Sequence, residues 1–455
     1  MALPRTIEVA KSFVIRTMDR HAKQGVVLTI MLQFGGAVVS FAMYSLAARV
    51  LTSQDFGHLA MWLCVCQMGS VTAVLGQEMF ILRSLNEYAV AGRPDLAKGA
   101  LLFSITIVSV VPLSLAIAIG AVGVFIFGED VRLMFATGLF LTASSAITLS
   151  SHIGRSTVNV FLAEGMRDFF WRSMIVIVLV ALIASGTIIQ IHEFFLLSFA
   201  GIAFALVVQC IAIVRRIPRD VVAARTTWQF VHWIRVSLGF WASAILETIN
   251  QFFDVVIIYW FLDPVSAGAY FIASRLANMF AVPLGALHNF TTRRIPALFF
   301  SGKAYELNKS LKLMAEVMLL CVVCGITIIV FAADWILGLF GPAFVTQKWT
   351  LIILATGTAL YAAGGPASSV LMIAGHQARY PWIVAANILL RFTGFAVLIP
   401  IFGLQGAAMA AAISLGIVAV VLNILCRRWL GLDPSVLILF RKPPLQLCLI
   451  TPPAA

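Results

Sequence analysis

From Gly25 to Cys426 the chain repeats one pattern, a long and almost uncharged apolar run followed by a short break carrying charge, proline or glycine. A helix rising about 1.5 Å per residue needs about 20 apolar residues to cross a hydrocarbon core of about 30 Å. By that length the runs predict twelve transmembrane helices, over 25–51, 57–81, 99–127, 131–151, 169–191, 193–214, 237–261, 264–288, 309–331, 348–374, 380–401 and 403–426. The expected fold class is an all-α polytopic membrane protein. The first 24 residues, with Arg5, Lys11, Arg16, Arg20 and Lys23 beside Glu8 and Asp19, lack the short apolar core of a cleavable leader and read as an amphipathic cytoplasmic lead-in.

Composition agrees, with 61% hydrophobic and 11% charged residues, against about a quarter charged in globular domains. In such a protein the placement of the cations says more than the net charge of +12. If the N-terminus is inside, all but five of the 31 Lys and Arg fall in cytoplasmic segments; Arg49, Arg132 and Lys348 lie outside, and Arg275 and Arg391 lie within spans. A missed or extra span would scramble that alternation, so both termini are expected in the cytoplasm of a multi-pass inner-membrane protein, with no nucleic-acid partner. External connections are short except 331–347, and none is long enough for a periplasmic domain. The seven cysteines lie mostly in apolar runs, and the Cys321-x-x-Cys324 pair has no second pair near it, so packing thiols are expected rather than a metal site.

An internal repeat marks the ends of the first and seventh spans. Leu51-Thr52-Ser53-Gln54-Asp55-Phe56-Gly57 and Leu262-Asp263-Pro264-Val265-Ser266-Ala267-Gly268 share a leading Leu, an acid and a closing Gly, 211 residues apart. Both halves begin inside, which predicts parallel repeats about an axis along the membrane normal: a lead-in 1–24, an N-lobe 25–214, a basic linker 215–236, a C-lobe 237–426 and an unstructured cytoplasmic tail 427–455.

Ionisable groups inside spans are costly and are functional candidates by default. On the seventh span Ser243, Glu247, Asn250, Gln251 and Asp254 recur at helical spacing on one face. Arg275 and Asn278 lie one turn apart on the eighth span, and Arg391 is near mid-depth on the eleventh. Glu247 and Arg275 sit at similar depth and are expected to pair. The stripe is then either a helix-to-helix lock with hydrogen-bonding amides or one wall of a wet cavity. Glu78 and Glu316 read as interfacial. No phosphate loop, H-E-x-x-H or nucleophile elbow occurs, so neither an ATP-driven pump nor a hydrolase is indicated, and no cofactor is expected.

Several stretches resemble the polysaccharide-flippase family, often called Wzx-like, whose superfamily also holds multidrug/toxin extruders and the lipid II flippase. They are Ala47-Ala48-Arg49-Val50-Leu51 through Gly57; Leu75-Gly76-Gln77-Glu78 through Arg83; Asp254 with Gly268-Ala269-Tyr270 and Ala273-Ser274-Arg275-Leu276; Leu371-Met372-Ile373-Ala374-Gly375-His376; and Ile399-Pro400-Ile401-Phe402-Gly403-Leu404-Gln405-Gly406-Ala407-Ala408. They run in order over about 25–425.

The resemblance implies two six-helix lobes around a central cavity, alternating access, and export of undecaprenyl-pyrophosphate-linked oligosaccharide for O-antigen, capsule or exopolysaccharide synthesis. A polysaccharide polymerase and a chain-length regulator would be its partners beside the bilayer. Arg275, Arg391, Asn250, Gln251 and Asn278 would then contact substrate, with Glu247 and Asp254 coupling transport to protons. The family's cavity is often basic, whereas here acids accompany the arginines. A multidrug cation antiporter and a lipid II flippase remain alternatives. A membrane polymerase, ligase or glycosyltransferase would need a sizeable external loop that this chain lacks.

The topology is testable by single-cysteine labelling. Cysteines replacing Asp130, Asp263 and Lys348 should label from outside, and those replacing Arg93, Arg219 and Lys303 only after permeabilisation; outside labelling at 219 contradicts the two-lobe plan.

Overall fold

Where the runs of apolar residues lie, the backbone has no water to bond and satisfies itself helically. The computed structural model describes residues 31–32, 34–278, 304–372 and 379–440, among which there is no strand. The lead-in 1–24, Gln33, residues 279–288 of the eighth span, Arg293, Arg294, Lys303, residues 373–376 and the prolines beyond 441 lie outside them.

The main elements are α1 (Phe34–Val50), α2 (Ser53–Val74), α3 (Gln77–Val90), α4 (Pro94–Phe125), α5 (Val131–Thr157), α6 (Phe161–Ser185), α7 (Ile191–Arg216), α8 (Phe230–Phe261), α9 (Pro264–Ala277), α10 (Ala304–Gly338), α11 (Lys348–Ala363), α12 (Ala367–Leu371) and α13 (Tyr380–Leu430). Among the described residues nine helical stretches are long and apolar enough to cross a membrane, with Phe34–Val50 a shorter apolar helix at the first predicted span.

Local chemistry sets the boundaries. Asp130 caps α5 by accepting from the Arg132 N–H at 3.0 Å, and α6 begins where Asn159 accepts from the Leu162 N–H and passes through a π-helical turn at Gly165–Phe170. The second predicted span, 57–81, is broken: Leu75 and Gly76 have φ of 51° and 72°, a left-handed step that ends α2 and starts the separate helix α3. Gly76 is required there because the Ser237 carbonyl and the Trp241 N–H of α8 press on the place a Cβ would take.

The fifty-one residues of α13 do not form one rod. Gly403 (φ 57°, ψ −134°) turns the chain, and Arg391 Nε donates to Ser414 Oγ at 3.0 Å, whereas 23 residues of straight helix would hold them about 35 Å apart. Gly394 against Ala410, and Gly406 against the Leu398 carbonyl, let the two arms touch backbone to backbone. The arms coincide with the predicted eleventh and twelfth spans.

The repeat is carried by matching helix starts. In the first copy Thr52 caps α2, its Oγ1 accepting from the Asp55 N–H at 3.1 Å and bonding Asp55 Oδ2 at 2.7 Å. In the second, Asp263 caps α9, accepting from the Ser266 N–H at 2.9 Å and from its hydroxyl at 2.6 Å. Hydroxyl and acid have exchanged places within one capping box. The closing glycines of the two copies pack against each other: a Cβ on Gly268 would sit 3.0 Å from the Gly57 Cα, and one on Gly57 would run into the Pro264 carbonyl.

The described chain gathers into two compact units, each discontinuous in sequence. The first (up to 43, 72–181 and 192–241) is centred on Phe80, Phe103 and Trp233, whose indole N–H donates to Tyr88 Oη at 2.9 Å. In its interior Ser104 donates to Gln77 Oε1 at 2.9 Å, and Gln77 Nε2 to Ser237 Oγ at 3.1 Å. One edge of it is fixed by Lys98 Nζ on the Val222 and Ala224 carbonyls, and by Thr227 on Asp95. The second unit (44–71, 182–191 and from 242 onward) has its core around Leu311, Met314, Leu371, Leu422 and Cys426. Leu432, Val436 and Ile438 join its buried residues, so the stretch to Phe440, expected as unstructured tail, is folded here. Gly365 (φ 66°) receives the Pro434 carbonyl where a side chain would stand.

Gly57→Ala should therefore overpack the repeat contact, at a cost of about 1–3 kcal/mol, while Gly239→Ala, whose Cβ meets nothing within 4 Å, should not. Thermal unfolding in detergent checks this; equal midpoints for the two variants would contradict the close approach.

Candidate functional site

The second unit contains every residue expected to contact substrate or carry protons. α8, α9 and both arms of α13 converge on Arg391, which is 4% exposed, and Asp254, which is 7% exposed. Arg391 Nη1 lies 3.1 Å from Asp254 Oδ2 and donates to the Asn250 carbonyl at 3.0 Å, while Nε reaches Ser414. Tyr270 Oη donates to the same Asp254 oxygen at 3.1 Å. Asp254 Oδ1 has no hydrogen-bond partner among the described residues. The network ties three helices at a point far from their capped ends.

This arrangement corrects the expected pairing. Glu247 does not meet Arg275. Instead Arg275, half-buried on α9, lays its guanidinium 4.6 Å from the Phe252 ring centroid and 5.0 Å from that of Phe271, a cation–π sandwich that favours Arg over a point charge. The Cys64 sulfur of α2 lies beside it, and its Nε has no hydrogen-bond partner among the described residues. The physical reason is angular: Arg275 meets α8 at Phe252, five residues on from Glu247 and so about 140° around the helix from it. Asp254, on the same face as Glu247 but two turns further along, meets the first arm of α13 and takes its arginine, while Glu247 is exposed and has no ion pair among the described residues.

Along the polar stripe of α8, Ser243, Glu247 and Gln251 are exposed, Asn250 is half-buried and Asp254 is buried. Inward lies a cavity of about 180 Å³ lined by Asn250, Asn278, Thr358, Tyr361, Tyr380 and Asn387, with Val384, Leu415 and Leu422 among its apolar walls. The Oδ1 atoms of Asn250 and Asn387 are buried without a hydrogen-bond partner among the described residues. Tyr361 and Tyr380 both face this cavity.

Asn250, Asn278, Asp254 and Arg391 are thus brought together; Gln251 and Glu247 stand outside the cavity wall, and Arg275 is one turn from Asn278 along α9. Sequence reasoning passed over Tyr270, Ser414, Tyr361, Tyr380 and Asn387. Tyr380, Val384, Asn387 and Arg391, spaced 4, 3 and 4, form a helical row that could have exposed two of them; Tyr361 and Ser414, alone in apolar runs, carry no such signal.

A buried pair is informative when one partner is removed, since the orphaned charge costs about 3–5 kcal/mol. Asp254→Asn and Arg391→Met should each lower the unfolding midpoint strongly, and the double variant should recover part of the loss. Additive effects in that cycle would contradict direct pairing.

No protein-family model and no curated protein matches the sequence. Solved structures do match. An inward-facing multidrug resistance MATE family transporter of the MOP superfamily superposes with a TM-score of 0.72 at 12% identity, over 89% of this chain and 98% of that one. The lipid II flippase MurJ, in an inward closed conformation, gives 0.67 at 14% identity, over 91% and 90%. A mutant of the Vibrio cholerae MATE transporter VcmN gives 0.59 at 13%, over 90% and 96%. At these identities the likeness is one of fold: this chain has the all-helical membrane fold shared by MATE transporters and the lipid II flippase.

Proposed function

We propose that the protein is a flippase for undecaprenyl-pyrophosphate-linked oligosaccharide in the bacterial inner membrane, with both termini cytoplasmic, acting in alternating access between two six-helix lobes, 25–214 and 237–426. The observation that carries this reading is Arg275, a cation within a span, held between two phenylalanine rings with its Nε unsatisfied among the described residues. A cation kept there at a cost of several kcal/mol gains most from an anionic ligand, and a guanidinium fork matches two phosphate oxygens.

Arg391 takes a different role from the one its sequence position suggested. Its fork is occupied by Asp254, the Asn250 carbonyl and Ser414, so it holds the three helices and shapes the cavity, while Arg275 is the pyrophosphate contact. Glu247, exposed and free of an ion pair among the described residues, is the better proton carrier; Asp254 joins it if Oδ1, which lacks a partner among the described residues, takes up a proton and loosens the Arg391 contact. Asn250 and Asn278 line the path for substrate, and Gln251 faces outward beside Glu247. A polysaccharide polymerase and a chain-length regulator would receive the exported unit.

A multidrug cation antiporter is the second reading, favoured by the exposed Glu247 and by the likeness in fold to MATE transporters. The two differ at Arg275, which repels a cationic drug and attracts a pyrophosphate.

Arg275→Ala should stop polysaccharide export and leave lipid-linked oligosaccharide on the cytoplasmic leaflet, with protein level unchanged. Arg275→Lys should recover part of the activity because charge survives and the fork does not. Export at the wild-type level by the alanine variant would remove the anion site.

A further inference from the structure

We propose that the cavity between α8, α9, α11 and the arms of α13 is a subsite for one uncharged sugar ring, and that it selects neutral over acidic sugars. The inference rests on the oligosaccharide reading above and adds to it a position and a specificity.

The lining has the chemistry of hydroxyl recognition. Three carboxamides, two phenols and a threonine face about 180 Å³, a volume equal to about six waters at about 30 Å³ each and suited to one ring rather than a chain of them. Asn387 is 7% exposed, and its Oδ1, like that of Asn250, is a buried acceptor with no donor among the described residues. Buried acceptors left unpaired are costly, and the hydroxyls of a sugar are donors. A carboxamide offers a donor and an acceptor side by side, the pattern that two neighbouring hydroxyls complete, and the tyrosine rings and Leu415 give the C–H face of the ring an apolar wall.

Charge sets the selection. None of the described lining residues is ionised at neutral pH. The cation beside the cavity, Arg391, is already committed to Asp254. Glu247 stands one turn from Asn250 on α8, so a carboxylate on the sugar would approach a like charge and, among the described lining residues, find no cation. Position follows from α9: Asn278 stands three residues after Arg275, about 5 Å along the helix, the separation expected if a pyrophosphate on Arg275 carries its first sugar towards the cavity.

The test uses the full-length protein in detergent and thermal unfolding against glucose, galactose, mannose, N-acetylglucosamine and glucuronate, with mannitol as osmolyte control and sodium exchanged for choline. At least one neutral sugar should raise the midpoint by roughly 1–3 °C over mannitol and glucuronate should not. Asn387→Leu should abolish the shift, and so should Tyr380→Phe, which keeps the ring and serves if the leucine variant folds poorly. The proposal is overturned if no neutral sugar exceeds mannitol, if glucuronate matches them, or if both variants keep the shift. A sodium-dependent shift that vanishes in Asn387→Leu also overturns it and makes the cavity a cation site. Absence of any sugar shift in the wild-type protein while Arg275→Ala still blocks export would remove the subsite and leave the flippase reading standing.

Discussion

An ion inside a lipid-spanning segment must be matched, because the surroundings solvate it poorly and the alternative is several kcal/mol of lost hydration. Arg391 meets that demand with Asp254, a backbone carbonyl and a serine hydroxyl, all drawn from helices that also wall the polar cavity. Because Asp254 binds Arg391 and Tyr270 through one oxygen, α8, α9 and α13 cannot separate there without exposing charge to an apolar medium. The pair therefore fixes how α8 sits against α13, and with it the place of Asn250 in the cavity wall.

Around that fixed point the fold is governed by how helices begin and turn. The capping boxes at Thr52 and Asp263, related by the internal repeat with acid and hydroxyl exchanged, start α2 and α9 at matching places. Gly57 and Gly268 then allow those two starts to lie against each other. Gly403 folds α13 into a hairpin, without which Arg391 and Ser414 could not meet. The contact of Gly57 with Gly268 is a close backbone approach that a side chain would block.

Much of this was legible in the sequence. Apolar run lengths gave helices whose positions the structure largely repeats, and the Leu-to-Gly repeat proved to be a physical contact between its own copies. Residues within one helix were also readable: Asn250 and Asp254, and Arg275 with Asn278, share rows that follow from periodicity alone. What failed was partner choice. Glu247 and Arg275 stand at equal depth, but depth does not fix the angle around each helix, and the partner of Asp254 lies 137 residues away on a different helix. The break at Leu75-Gly76 was hidden because the run stays apolar across it, and the folding of Leu432 to Phe440 depends on a groove beside Gly365 that only the tertiary structure supplies.

On the proposed reading this scaffold carries an anionic, sugar-bearing lipid rather than a cationic drug. Reconstitution of the purified protein into liposomes, loaded in parallel with undecaprenyl-pyrophosphate-linked oligosaccharide and with ethidium, measures both in one preparation. A lipid-linked oligosaccharide flippase should make the oligosaccharide accessible to a lectin on the opposite leaflet while ethidium stays where it was placed. Ethidium movement driven by a proton gradient, with the oligosaccharide unmoved, would contradict it.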